Sequence, residues 1–406
     1  MKKLNVFLVS VLATAALNAA VIEQVIVRQQ WPWSTDVKIE YKISAVTNPV
    51  DIAIQAYNGA SELSLPEAAI TGDRYGISED GVGTLVIDPV AAFGTEKVAL
   101  ANFKVKLTVS DSAANIREPL YRICDLTNGE VKDLSRADIM NDRSYGNYVT
   151  NYAAIHPGFT TGATDVFIWT GVTNNPAFKT TKLVLRRIPA KNAVFPYGAP
   201  ANPVNCTLTN DYWMGVFDLT YEQYKTMSGS YEGSYLHLDG FEMMPISGLA
   251  FKDYNNKVVP FLRLKVPSLA FDFPTEARLT FAIRGGKHDD SNGWHGATEK
   301  GLVAWYSENS TVTSGKQPHV VGTKLPNAYG LYDAIGNVDQ LTKDKTTGGA
   351  LPTEDVVEPI LDNGGSWNTR GGQFNGKYPG TEFRDVCITY SASEPVVGYR
   401  PYVDNQ

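Results

Sequence analysis

The residue types that ordinarily carry catalysis are sparse in this chain and poorly spaced for it. Cys124, Cys206 and Cys387 lie far apart and form no CxxC pair of the zinc or redox kind. An oxidising compartment could join two of them, with no pairing favoured, and burial as small apolar side chains is the expectation for each. His156, His237, His288, His295 and His319 show neither HxH nor HExxH spacing. His288, Asp289, Asp290 and His295 gather in one polar stretch that offers ligand atoms to a metal ion, although a solvated loop is the expected role. No P-loop, GxSxG elbow or glycine-rich dinucleotide turn is present, so the common enzyme classes have no foothold. A formal net charge of -7 without a clustered basic stretch argues against a nucleic-acid partner.

The elements that would have to position such groups begin after an export signal. Lys2 and Lys3 precede an apolar run from Leu4 to Leu12, and small residues follow at Ala15, Ala16, Ala19 and Ala20. This is the pattern of a secretory signal peptide over residues 1–20. The run is too short to span a bilayer, and no later stretch approaches the roughly 18 to 20 apolar residues required, so no membrane span is expected. No Cys at the cleavage region invites a lipid. The mature protein is therefore expected to be periplasmic, secreted or held at the cell surface by a partner.

Residues 21–112 read as strand after strand. Val37, Ile39, Tyr41 and Ile43 alternate with Lys38, Glu40 and Lys42, which puts the apolar side chains on one face. Val50, Ile52, Ile54 and Ala56 repeat the pattern, as do Phe103, Val105, Leu107 and Val109. Turn signals such as Asn58-Gly59 separate them, and an antiparallel β-sandwich is predicted. Trp31-Pro32-Trp33 is expected to plug one end of it, the alternative being a carbohydrate-stacking platform. Residues 113–180 fit a connector with short strands.

In residues 181–406 the signals become specific. Tyr212 to Leu219 reads as a strand leading into a helix, with Thr220 and Gln223 at capping-box spacing and Gly229 as the stop. A second helix opens with Thr275 as N-cap and Glu276 in its first turn, and Gly285-Gly286 ends it. Five segments then occur in order. They are Leu185 to Ala190; Gly215 to Thr220 with Gln223 and Tyr224; Phe273 to Ala277 through Gly286; Asn327-Ala328-Tyr329-Gly330-Leu331-Tyr332-Asp333 with Gly336-Asn337-Val338; and Gly364-Gly365-Ser366-Trp367 with Gly398-Tyr399-Arg400. In this order they resemble the formylglycine-generating enzyme family, also called the sulfatase-modifying-factor domain. The resemblance implies an irregular α+β fold related to C-type lectins, behind the N-terminal sandwich.

The resemblance also locates the chemistry of active members, which hold Cu(I) between two thiolates shortly after the Gly-Gly-Ser-aromatic motif. By spacing, those positions fall near Thr369 and Phe374, neither of which can bind copper usefully, so no copper is expected. A related branch that binds Fe(II) does so through an additional helical domain, for which the sandwich offers no counterpart. A structural calcium site is implied at Asp333, Gly336, Val338 and Gln340, where Gln340 replaces the family's Glu and lowers the expected affinity, the alternative being that Asp333 and Gln340 simply hydrogen-bond the loop. The family's ligand surface maps to Asn368, Arg370, Gln373, Phe374, Tyr378 and Arg384, with Phe383 and Tyr390 adding aromatic area. The expectation is thus a noncatalytic exported module with a peptide or glycan ligand. The alternatives are a family oxidoreductase with a rearranged site, and a receptor diversified by a retroelement.

Overall fold

The computed structural model describes residues 20–29, 32–96, 98, 100–156, 166–199, 202–285, 299–312, 315–346, 351–376, 384–388 and 395–404. The chain forms two compact units. One is built from the chain up to Pro119 together with Leu134–Asn147, and the other from Leu120–Asp133 together with Tyr148 onward. The stretch 113–180 is thus divided between the two.

In the first unit the alternating segments become β1 (Val21–Gln29), β2 (Val37–Ser44), β3 (Val50–Asn58), β4 (Ser61–Leu63), β5 (Ile70–Gly72), β6 (Gly81–Ile87) and β7 (Phe103–Asp111). They pair into a four-stranded sheet, β1-β2-β6-β5, and a three-stranded one, β4-β3-β7, all antiparallel. Ile39, Tyr41 and Ile43 from β2 share one core with Val50 and Ile52 from β3 and with Val105 and Leu107 from β7, the sandwich that the period-two pattern predicts. Gly83 faces Tyr41 across the β2–β6 ladder because the ring lies where its Cβ would be, and the Tyr41 hydroxyl donates to the Asp73 carbonyl at 2.6 Å. The Trp33 expectation fails. Its side chain is 91% exposed in the turn between β1 and β2, which carries it away from the core; Trp31 lies outside the described residues.

The second unit is built on a six-stranded sheet in the order Phe271–Asp272, Tyr402–Asp404, Tyr212–Gly215, Lys182–Ile188, Tyr121–Asp125, Val131–Leu134. The last strand of the chain is thereby inserted between two earlier ones, pairing Trp213 with Val403 and Phe271 with Val403. A second sheet has the order Arg384–Ile388, Ser366–Arg370, Asp339–Thr346, Val397–Gly398. The capping box predicted for the helix Tyr221–Ser228 is present, with Thr220 accepting from the Gln223 amide, the Gln223 side chain reaching back, and Gly229 left-handed at the end. The helix Glu276–Ile283 is capped by Thr275 as expected, yet all eight of its residues are buried. It runs through the interior between the two sheets, so even its first-turn carboxylate needs an internal partner. Among the described residues no helix is long and apolar enough to cross a membrane.

Candidate functional site

The strand Ser366–Arg370 carries the first position at which the resemblance places a thiolate. Thr369 is fully buried on it, between the strands Asp339–Thr346 and Arg384–Ile388. Phe374, at the second position, is buried in the main hydrophobic core, edge-on to Tyr235 at 5.7 Å. The two thiols among the described side chains are elsewhere. Cys124 belongs to this same core through a distant strand, while Cys206 belongs to a second one with Phe195 and Phe281. Burial pushes each of these two thiols up to about 12, so both stay protonated at neutral pH, as expected of small apolar fillers. The side chain of Cys387 lies outside the described residues.

Behind Thr369 sits a polar network. Strand residues two apart share a face, so Asn368 and Arg370 both point at the first turn of the helix Glu276–Ile283. The Asn368 amide donates to Glu276 Oε2 at 2.8 Å, and the Arg370 guanidinium donates to Oε1 from Nε at 2.9 Å and from its terminal nitrogen at 2.8 Å. Asp344 caps the same turn by accepting from the Glu276 amide at 2.7 Å, and also accepts from Leu361. Burial raises its carboxyl to about 6 against those two hydrogen bonds. Asn368 and Arg370 therefore serve the interior, contrary to the expectation that they reach a ligand, because the buried Glu276 consumes both. Phe374 likewise packs inward. Tyr378, Phe383 and Tyr390 lie outside the described residues, as do His288, Asp289, Asp290 and His295; Arg384 is described only in its backbone strand.

Gln373 remains at the surface side of this core, half-buried, with its amide donating to Asp339 Oδ2 at 3.0 Å and its oxygen shielded without a partner among the described residues. Around it the wholly buried Asn337 ties three segments together. Its side chain accepts from the His319 amide and donates to the His319 carbonyl, while its backbone donates to Trp305 and accepts from Phe374. The left-handed backbone of Asn337, at φ 60°, makes this fourfold engagement possible. The result is a half-buried rim over Phe374, in which His319 stacks on Trp305 at 3.7 Å and Lys324 covers the same indole at 3.8 Å. Burial, helped by Lys324, pulls His319 down to about 4, so the imidazole is neutral, and its Nε2 is shielded without a partner among the described residues. Sequence reasoning passed over Trp305 and His319; the one available signal was Asn337 within the Gly336-Asn337-Val338 motif.

For the segment Asp333 to Gln340 the resemblance implies a calcium site, the alternative being that Asp333 and Gln340 simply hydrogen-bond the loop. Asp333, Gly336 and Asn337 all have positive φ, at 50°, 75° and 60°, which makes the tight wrap that such a loop needs. Asp333 is buried, with Oδ2 accepting from the Gly322 amide at 2.7 Å, and burial raises its carboxyl. Val338 is buried against Gly398. Gln340, however, accepts from Arg400 Nε at 2.7 Å and aims its amide N–H at the Asp333 carbonyl at 2.9 Å. Arginine only donates, so the Gln340 oxygen must face it and the nitrogen must face the carbonyls. The fourth expected ligand thus presents donors to the loop, and its oxygen is already used. Asp333 Oδ1 is shielded without a partner among the described residues, but with the Gln340 oxygen taken by Arg400 the set as it stands does not supply its fourth calcium ligand.

Fold and site together describe a formylglycine-generating-enzyme scaffold with apolar and hydroxyl side chains at its thiolate positions. The chain belongs to the sulfatase-modifying factor enzyme 1-like domain family, whose profile matches residues 190–400, just over half of it. No curated protein sequence matches it. Among solved structures it is similar to Treponema denticola variable protein 1, at 21% identity over 55% of this chain and 95% of that one, with a TM-score of 0.46. It is also similar to PvdO from Pseudomonas aeruginosa, at 16% identity over 54% and 94% with a TM-score of 0.43. CarF matches at 17% identity over 55% and 99%, with a TM-score of 0.40.

Proposed function

We propose that this protein is exported by its N-terminal signal and works as a noncatalytic binding module, its ligand a peptide or a glycan gripped at the rim of Trp305, His319 and Gln373. The observation that carries the reading is Phe374, which packs a phenyl ring into the core at the position where a copper-binding thiolate would be required. A ring and the neighbouring Thr369 hydroxyl supply no soft ligand for Cu(I). The stacked Trp305 and His319 rings offer aromatic area to such a ligand, and the half-buried Gln373 beside Asp339 adds a polar edge.

The test is a panel of glycans and cell-envelope peptides applied to the full mature chain, with affinity read by interferometry. A ligand that binds in the micromolar range and loses at least tenfold on Trp305→Ala or Gln373→Ala supports the reading. Binding that ignores both substitutions places the ligand elsewhere and ends the claim for this rim.

A further inference from the structure

The oxygens around Arg400 form the kind of shell that a hard cation would seek. Its guanidinium is buried and donates from Nε to Gln340 Oε1 at 2.7 Å, and from one terminal nitrogen to the carbonyls of Gly215 and Val216 at 2.9 and 3.1 Å. The other terminal nitrogen donates to the carbonyls of Tyr332 and Asp333 at 2.7 and 2.9 Å and to Asp218 Oδ2 at 3.3 Å. Six oxygens from three chain segments thus converge on one delocalised charge, a number that calcium also takes. One of them, Gln340 Oε1, is an expected ligand atom of the metal loop, and another, the Asp333 carbonyl, belongs to the same loop although its side chain was the expected ligand; this arginine engages both. The second hand of Gln340 reinforces it, because its N–H covers the same Asp333 carbonyl at 2.9 Å and approaches that of Ala334 at 3.4 Å.

Charge is balanced in the same way. Asp333 and Asp218 are both buried, and besides Arg400 the ammonium groups of Lys179 and Lys324 act on Asp333. A divalent ion brought to this loop would have to displace a hydrogen-bonded amide and sit beside a fixed guanidinium, which repels it. We infer that Arg400 and Gln340 do the work of a divalent cation here, so that the Asp333 loop is held closed without calcium and the exchange of Glu for Gln at 340 is what frees it from the metal. With a carboxylate at 340 the Arg400 contact survives as an ion pair, while the Ala334 carbonyl loses its amide donor, the Asp333 carbonyl keeps only Arg400, and a second carboxylate oxygen faces the loop in place of the amide.

Two measurements on the full mature chain decide this. The wild-type melting temperature is followed in chelator and in millimolar calcium, and terbium is titrated in as a luminescent calcium probe excited through the nearby Trp305. The expected result is no shift in melting temperature and no sensitised emission, whereas Gln340→Glu acquires a calcium-dependent rise of several degrees. A wild-type rise that Asp333→Asn removes overturns the inference, as does sensitised terbium emission that the same substitution removes. A folded Gln340→Glu protein that stays indifferent to calcium also overturns it, since Gln340 would then not be the residue that excludes the ion. Should that variant fail to fold, the wild-type melting and terbium results decide alone.

Discussion

Arg370 separates a structural account of the Gly-Gly-Ser-Trp strand from a ligand-binding one. Replacing it with Met removes a cation paired with the Glu276 carboxylate, which is fully buried at the start of an interior helix. Breaking a buried ion pair from one side costs about 3–5 kcal/mol, because the remaining charge has no compensation. Asn368 still donates to the other Glu276 oxygen, which places the expected loss near the lower end. For a unit of this size a kcal/mol moves the midpoint by roughly 2 °C, so Arg370→Met should melt about 6 °C or more below the wild type. Glu276→Gln alone should also destabilise, by removing the carboxylate that Arg370 pairs with in the interior. The two together remove both charges, and the double-mutant cycle should return a coupling of about 2 kcal/mol. Chemical denaturation followed by near-ultraviolet circular dichroism reads all four proteins. An Arg370→Met protein within about 0.5 kcal/mol of wild type, with no coupling to position 276, would refute the pairing and restore Arg370 as a candidate ligand contact.

Further outcomes follow from the same structure. Because His319 is held near 4 in the fold and titrates near 6.5 when unfolded, the folded state binds fewer protons between those values. Its contribution therefore falls as pH drops through that window, and His319→Gln should flatten the wild-type stability profile there. Asp344 works in the opposite sense: its folded value of about 6 lies above its unfolded one, so its contribution is largest at low pH and is lost as pH rises towards and past 6, a slope that Asp344→Asn should remove. In a Cys387→Ser background, Cys124 and Cys206 should resist a thiol reagent at pH 8 until the protein is unfolded; rapid labelling of the native state would contradict their burial. A fragment beginning at Asn174 lacks the strand Tyr121–Asp125 that pairs with Lys182–Ile188, and should aggregate where the full chain stays monodisperse.

What the sequence could reveal was what its local patterns encode. The capping box at Thr220 and Gln223, the stop at Gly229 and the alternation along β2, β3 and β7 depend on neighbours a few residues away, and all are found as read. Long-range partnerships were hidden. Nothing near Glu276 announces that its counter-charge is Arg370, 94 residues later, so the arginine was read as a ligand contact. Arg400 was visible as the end of a motif, but its six oxygen partners come from segments up to 185 residues away. Trp33 misled for the converse reason: a large apolar residue beside an amphipathic strand suggests burial, whereas the turn that carries it points outward.

The central claim is that the family scaffold here no longer performs the oxidation of its active members. Its most direct test incubates the purified mature protein with Cu(I), oxygen, a reductant and a peptide carrying a sulfatase-type Cys-x-Pro-x-Arg sequence, then follows the aldehyde product by mass spectrometry. The expected result is unmodified cysteine, with no aldehyde above the protein-free control. Aldehyde that accumulates in proportion to the protein would contradict the account, and its loss on Cys206→Ser or Cys387→Ser would locate a copper pair where none is expected.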